Sequence, residues 1–340
     1  MKLSVHLVTW NGEKYIPELF ESLKKQTYTD WQLVVLDNAS EDNTVKCIQQ
    51  ELEYVGVQSE LIILKENTGF AGGHNTLFSR CNSEYLLLLN QDMILEPDCL
   101  EKLVTYMDAH EEIGALSPRL MKWDFKNGDL TDTIDSLGLK VFRNRRVVEL
   151  YNGWSWNQIS SQFDLSEMLV FGVSGALPLY RKSALDAISF TDGTFFDSSY
   201  HMYKEDVDVA FRLQSAGFGA AAVTDAVAYH DRSAAGPASQ DDHAAVQNKK
   251  QQNSMVRYNS YKNHLMNIYK NEYWQNFVLD LPTILWYELK KFVWYAVHDR
   301  SVLSGVWEIL SMRKKLRGKR SLIRSKRKLN WKQFRKSLGF

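Results

Sequence analysis

Hydrophobic and polar positions alternate in blocks over the first third of the chain. Residues 3–9 are an apolar run that breaks at Trp10-Asn11-Gly12, which predicts a strand ending in a turn. Residues 17–26 follow with Pro17 at the start and Leu19, Phe20 and Leu23 at helical spacing. Residues 31–36 read as a second strand, closed by Asp37-Asn38-Ala39-Ser40, with a helix starting near Asp42 or Asn43. Residues 61–64 predict a third strand. The glycine-rich passage Glu66-Asn67-Thr68-Gly69-Phe70-Ala71-Gly72-Gly73-His74-Asn75 then leads into another helix. Residues 85–89 predict a fourth strand closed by Asn90-Gln91-Asp92. Residues 97–107 have helical spacing, and 113–116 form a fifth strand.

This strand–helix alternation predicts an α/β fold around an open, mostly parallel sheet flanked by helices. Asn11, Asp37, Asn67 and Asp92 lie just beyond strand ends. In such sheets ligands bind beyond the carboxyl ends of the strands, so one site can draw on several loops. Each of these residues alone also fits an ordinary turn former or helix cap.

Residues 122–163 have no clear period; 141–142 and 146–151 are candidate hairpin strands. Phe171-Gly172-Val173-Ser174-Gly175-Ala176 reads as tight backbone passing a site. The acidic start of Glu205-Asp206-Val207-Asp208 suits a helix N-terminus, and residues 220–230 form a late strand ending in Tyr229-His230. The segment 231–252 is polar and rich in small residues, which fits a mobile flap or a linker equally. A helix is expected over 259–273. Residues 274–307 mix Trp, Tyr, Phe, Leu and Val with Asp, Glu and Lys. That pattern fits interfacial amphipathic helices, a homodimer surface or a small helical core.

Charge changes this picture. The 340 residues carry 41 basic and 41 acidic side chains, but residues 311–340 hold 13 basic and no acidic ones. The rest is net −13, an acidic body with a basic end. Such a body disfavours nucleic acid, and no recognition motif for it is present. The basic end is expected to meet an anionic membrane surface. Three widely spaced cysteines fit a reducing compartment. No leader pattern and no run of 18 apolar residues is expected to carry the chain into or across a membrane.

A carboxylate after one strand, Asp92, and an imidazole after another, His230, can share Mn²⁺ or Mg²⁺ that also grips a diphosphate. Asp206 can act as a general base, or simply cap its helix. HExxH, GxGxxG and the P-loop signature are absent, which disfavours zinc hydrolases, dinucleotide oxidoreductases and P-loop kinases.

Several pieces in order carry a family resemblance: Val8-Thr9-Trp10-Asn11-Gly12, Val35-Leu36-Asp37-Asn38-Ala39-Ser40, the passage from Asn67 to Asn75, and Leu89-Asn90-Gln91-Asp92. Gly175-Ala176, Glu205-Asp206-Val207-Asp208 with Arg212, and Tyr229-His230 complete the set. Together they resemble family 2 inverting glycosyltransferases of the GT-A fold, in the branch with dTDP-rhamnosyltransferases.

The resemblance implies a catalytic domain over 1–252, with a nucleotide-binding half at about 1–120 and an acceptor half at about 121–252. A helical, aromatic and basic region then covers 253–340. It implies transfer of L-rhamnose from dTDP-β-L-rhamnose to a glycan or polyprenyl-diphosphate-linked acceptor, with an α-linked product. UDP-hexoses or UDP-galactofuranose are alternative donors, and a non-catalytic nucleotide-sugar-binding subunit is a further one. By the same resemblance Asp206 is the base, and Asp92 and His230 hold the metal. Thr9, Asn11, Asp37, Asn67, Gly69, Gly73, Asn75, Gln91 and Gly175 serve the donor, with Asp37 recognising the pyrimidine. Asn90 replaces the first carboxylate of the family's DxD-type motif. Asp208 is expected to point away from the base, and Arg212 to be structural. The protein is expected at the cytoplasmic face of the cell membrane.

Overall fold

The computed structural model describes residues 1–162, 168–231, 250 and 252–340. The first apolar runs become β1 (Leu3–Thr9), β2 (Trp31–Asp37), β3 (Gln58–Ile63) and β4 (Tyr85–Asn90). They alternate with α1 (Ile16–Lys24), α2 (Thr44–Leu52) and α3 (Gly69–Phe78). Pairing among the four strands is parallel. The register sets Thr9 beside Asp37, Val8 beside Asn90 and Asp37 beside Ile63. All four strands therefore end along one edge, and the polar turn residues collect there.

The burial pattern explains the apolar runs. Leu87 and Leu89 of β4 join Leu3, Val5, Leu33 and Val35 in a cluster under α1. Leu86 and Leu88 face the other way, into a cluster with Tyr180, Phe195, Phe196, Val209 and Leu213. A strand covered on both sides needs apolar side chains at every position.

The second half adds β5 (Met93–Leu95), α4 (Cys99–Ala109), β6 (Ile113–Asp124), β7 (Asp129–Ser136), β8 (Leu139–Val141) and β9 (Val147–Glu149). It continues with α5 (Trp156–Ser160), β10 (Met168–Val170), β11 (Leu179–Arg181), α6 (Lys182–Ile188), α7 (Glu205–Ser215) and β12 (Gly219–His230). Among the described residues the main sheet has ten strands, ordered β10-β12-β6-β11-β4-β1-β2-β3, with β5 on β12 and β7 on β6. β11 runs antiparallel between β4 and β6, while β12 is parallel to β6.

The fifth strand runs on to Asp124, well past the expected end at 116. The stretch without period holds β7, the β8–β9 hairpin and α5. Polar residues in β7 (Asp129, Thr131, Asp132, Thr133, Asp135) hid its strand character. The expected flap at 231–252 lies outside the described residues except for Asp231, Lys250 and Gln252.

Beyond it come α8 (Ser254–Asn271), α9 (Trp274–His298), a 3₁₀ turn (Arg300–Leu303), α10 (Ser304–Ser311), α11 (Arg313–Ser325) and α12 (Trp331–Ser337). These helices share buried groups with α7. Lys270 of α8 pairs with Asp197 and with Asp208 of α7, and Lys319 of α11 also reaches Asp197. Phe334 of α12 stacks on Tyr273 and meets Phe211 of α7.

Candidate functional site

The loops that follow β1, β2, β3 and β4 are tied to one another by their own polar groups. Asp37 is fully buried. Its carboxylate accepts from the hydroxyls of Thr9 (3.1 Å) and Ser40, and from the Ser40 N–H at 2.9 Å. Asn11 has φ 47°, donates its N–H to Ser40 Oγ (2.9 Å) and accepts from the Glu41 N–H (2.9 Å). The Gln91 amide clasps the Trp10 backbone twice, at 2.9 and 3.1 Å. Asn38 accepts from the Thr68 N–H (2.8 Å) and donates to the Gly69 carbonyl (3.2 Å). The bonds between amides and backbone among these contribute about 1 kcal/mol each. Together they fix the edge where β1, β2, β3 and β4 end.

Several expected donor contacts have internal partners here. Asp37 was expected to meet a base, yet both its oxygens are engaged within the loops it organises. Asn75 exchanges two hydrogen bonds with the Phe196 backbone, each 3.0 Å. Gly73 leaves room for Val8, whose methyl would sit 2.9 Å from an added Cβ, so it allows α3 to pack closely on β1. Asn67 caps the glycine passage by accepting from the Gly69 N–H at 2.8 Å. Gly69, at φ +73°, could not carry a side chain, because a Cβ would lie 2.6 Å from His201.

Asp92 and His230 are brought together as the sequence implied. β5 and β12 pair with His230 opposite Met93, so the end of β12 lies beside the turn carrying Asp92. His230 Nε2 is 3.4 Å from Asp92 Oδ1. Its Nδ1 side is 2.9 Å from Asp135 of β7. Burial alone would push the imidazole down, but the hydrogen bonds and charges of Asp135 and Asp92 outweigh it and carry it up to about 9. A proton on His230 thus satisfies the charge that a divalent ion would satisfy, and metal binding would displace it.

The donor set fits Mn²⁺ or Mg²⁺. One carboxylate oxygen and one imidazole nitrogen face each other, with a second carboxylate orienting the ring. Among the described residues no group of three or more His, Cys, Asp or Glu side chains is placed to hold an ion by itself. Asp92 and His230 are the side chains that would hold such an ion.

Asp206 stands in the first turn of α7, half-buried, and accepts from the Val207 N–H at 2.7 Å. No ion pair among the described residues engages it. Asp208, fully buried, is the paired one, with Arg212 at 2.8 Å and Lys270 at 2.9 Å. Arg212 is likewise buried and also donates to backbone carbonyls of Ile188 and Phe195. Both residues take the structural places expected of them.

The turn before Asp206 is unusual. Tyr203 and Lys204 both have φ 69°, a conformation that costs a non-glycine residue about 1–2 kcal/mol. Amides from α8 offset this cost. Asn263 donates to the carbonyls of Met202 (3.0 Å) and Tyr203 (2.8 Å), and Asn267 donates to that of Lys204 (3.0 Å). One helical turn further on, Asn271 donates to Asp208 at 2.8 Å. Glu205 beside Asp206 is buried, and its Oε2 has no hydrogen-bond partner. Burial, then the Asp206 charge, push its carboxyl up to about 8.

Contacts join these parts. Gln91, which clasps Trp10, immediately precedes Asp92. The Asn90 N–H donates to the Ala176 carbonyl at 3.1 Å. A Cβ on the neighbouring Gly175 would stand 3.7 Å from the Asp206 Cβ. The sequence reading missed Asp135, the asparagines of α8, and Tyr15, whose hydroxyl donates to Asp231 at 2.6 Å.

Comparison with known proteins decides the family. The profile described as Glycosyl transferase family 2 matches residues 4–188, more than half of the chain. The chain belongs to glycosyl transferase family 2. Among relatives of this family, "Putative glycosyltransferase EpsE" of Bacillus subtilis is 28% identical over 36% of this chain and 44% of its own length. "Poly(ribitol-phosphate) beta-N-acetylglucosaminyltransferase TarS" of Staphylococcus aureus is 30% identical over 32% of this chain and 19% of its own length. The chain thus matches less than half the length of these relatives. The solved mannosyltransferase PcManGT of Pyrobaculum calidifontis, in complex with GDP-Man and Mn²⁺, superposes with a TM-score of 0.52. It is 17% identical and covers 96% of this chain and 85% of its own, a likeness of fold. The fold is GT-A-like, with its helical region at the C-terminus.

Proposed function

We propose that this family 2 protein is an inverting glycosyltransferase that moves a sugar from a nucleoside diphosphate to an acceptor hydroxyl. The observation that carries the reading is the convergence of Asp92–His230 and of Asp206 on the strand-end edge, linked through Gln91, Ala176 and Gly175. Asp206 takes the acceptor proton as the acceptor oxygen forms its bond to C1. The bond from C1 to the diphosphate oxygen breaks on the opposite face, so the configuration inverts. Asp92 and His230 would hold Mn²⁺ or Mg²⁺, which supplies charge neutralisation for the departing diphosphate. The loops shaped by Thr9, Asn11, Asp37, Asn67 and Gln91 wrap the nucleotide, with residues at about 1–120 on the donor side and about 121–252 on the acceptor side.

The Asn67-to-Asn75 passage supports dTDP-β-L-rhamnose as donor and an α-L-rhamnosyl product. GDP-Man in the PcManGT complex and the GlcNAc named for TarS support other nucleotide sugars as the alternative. The acceptor we propose is a glycan or a polyprenyl-diphosphate-linked saccharide at the cytoplasmic face of a membrane with anionic lipids.

A donor screen over dTDP-rhamnose, UDP-galactose, UDP-glucose, UDP-galactofuranose, UDP-GlcNAc and GDP-mannose with Mn²⁺ tests the reading. One donor is expected to release its nucleoside diphosphate, and Asp206→Asn is expected to lower turnover about 10²–10⁴-fold while donor binding persists. Unchanged turnover in that variant would remove Asp206 as the base. Failure of every nucleotide sugar to bind would end the transferase reading.

A further inference from the structure

Helix α9 is built inside out. A surface helix normally turns its apolar stripe to the core and its charges to water. Here Asp280 and Lys291 are buried: Asp280 pairs with Arg145 and Arg335, and Lys291 with Glu288. The outward face instead shows Val278, Leu285, Trp286, Leu289, Val293 and Val297, each more than half exposed. Of the charged residues in α9, only Lys290 is exposed. Asp280, held by Arg145 and Arg335, and Glu288, which reaches His264 of α8 at 2.7 Å, fix the rotation of the helix, so its outward face cannot turn inward without breaking these contacts.

Further exposed apolar side chains follow in the chain. Trp307 and Leu310 of α10 are exposed at 74% and 48%. Arg313 Nη1 reaches the Leu310 carbonyl at 3.5 Å, and Arg313, Lys314, Lys315 and Arg317 of α11 are exposed. Other cations of the basic end serve the fold: Lys319 meets Asp197, Arg327 the Asn271 carbonyl, and Arg335 Asp280.

α9 has 25 residues, about 37 Å of helix, and no helix of the described residues is long and apolar enough to cross a membrane. A long apolar face bearing tryptophans, followed in the chain by exposed cations, matches the boundary between lipid headgroups and acyl chains. A second copy of the chain would cover the apolar face, but a two-fold contact would set the exposed cations at 313–317 against the partner's α9 face, whose only exposed charged residue is Lys290, another cation.

We propose that the outward face of α9, with Trp307 and the exposed cations at 313–317, docks the protein in the plane of an anionic phospholipid surface. It rests on the membrane-side reading of the acceptor and deepens it. The apolar helix face makes the insertion, and the cations steer it.

The test is flotation of the full chain with phosphatidylcholine vesicles and with vesicles enriched in phosphatidylglycerol, at low and high salt. The unaltered chain is expected to float with the anionic vesicles. Trp286→Glu combined with Val293→Glu is expected to lower partitioning at least about tenfold at both salt levels, with melting temperature and donor affinity unchanged. Lys314→Gln combined with Lys315→Gln is expected to weaken binding chiefly at low salt. If the Gln pair abolishes flotation and the Glu pair does not, the membrane reading stands and insertion by α9 is overturned. If the unaltered chain binds neither vesicle, both fall. A dimer in sedimentation that the Glu pair splits, with flotation unchanged, would assign the face to a second copy and overturn the proposal.

Discussion

Two carboxylates in this protein reach the same edge of the sheet by different means. Asp37 ends β2 and is held by Thr9, its neighbour in register, and by Ser40, three residues on. Asp206 lies in the first turn of α7, and the turn that presents it is held by Asn263 and Asn267, some 60 residues later in the chain. The loops proposed for the donor are thus set by turns and strand register, whereas the proposed base depends on a helix beyond the sheet. The difference teaches where sensitivity to remote change resides. The first region carries its own instructions, while the second is complete only when the C-terminal helices pack.

The Asp92–His230 pair lies between these extremes, since its orienting carboxylate, Asp135, comes from β7. Replacing an orienting partner of a metal-ligating histidine typically lowers metal affinity 10–100-fold, about the largest effect expected from any residue outside the proposed ligands. Asp135→Asn is therefore expected to weaken Mn²⁺ binding by about that factor in a titration with a nucleoside diphosphate present. Unchanged affinity would mean that Asp135 serves only the fold, through its contacts with Asn152.

What could be read beforehand follows the same division. The strand–helix alternation, the edge residues Asn11, Asp37 and Asp92, the start of α7 and the end of β12 all show in local patterns. Each rests on short-range periodicity or on a turn residue after a strand. Asp135 did not show, because β7 has too many polar residues to read as a strand. Asn263, Asn267 and Asn271 recur at a spacing of four on one face of α8, which by itself marks only a polar face. Their carbonyl partners become visible once α8 lies against the 202–204 turn. The inside-out character of α9 was equally hidden, since an apolar stripe in sequence does not say which way it faces.

Removing the α8 amides sharpens the contrast further. Asn263→Ala with Asn267→Ala deletes three side-chain bonds to a turn with two left-handed residues. If about 1–2 kcal/mol of that support serves to hold Asp206 in place, turnover is expected to fall about tenfold. Donor affinity, set by loops that keep their own contacts, is expected to stay constant. Stopped-flow turnover beside calorimetric donor titration separates the two. A parallel fall in both would mean that α8 supports the whole edge, erasing the distinction between the regions.

The smallest expected effect concerns Glu205, whose buried carboxyl sits beside Asp206 and is raised to about 8 from an ordinary value near 4.5. In the native state it keeps its proton through neutral pH, while in the unfolded chain it loses it. Between those values the native state binds more protons, so this group's contribution is full below about 4.5 and is lost as pH rises through about 8. Glu205→Gln puts an uncharged amide in place of the neutral acid and removes that dependence. Its melting temperature is expected to match the unaltered protein near pH 5 and to exceed it by a few degrees near pH 8. A difference that stays flat across that range would show Glu205 ionised in the native state. The turn at 203–206 would then present two negative charges to the acceptor, rather than one base beside a neutral acid.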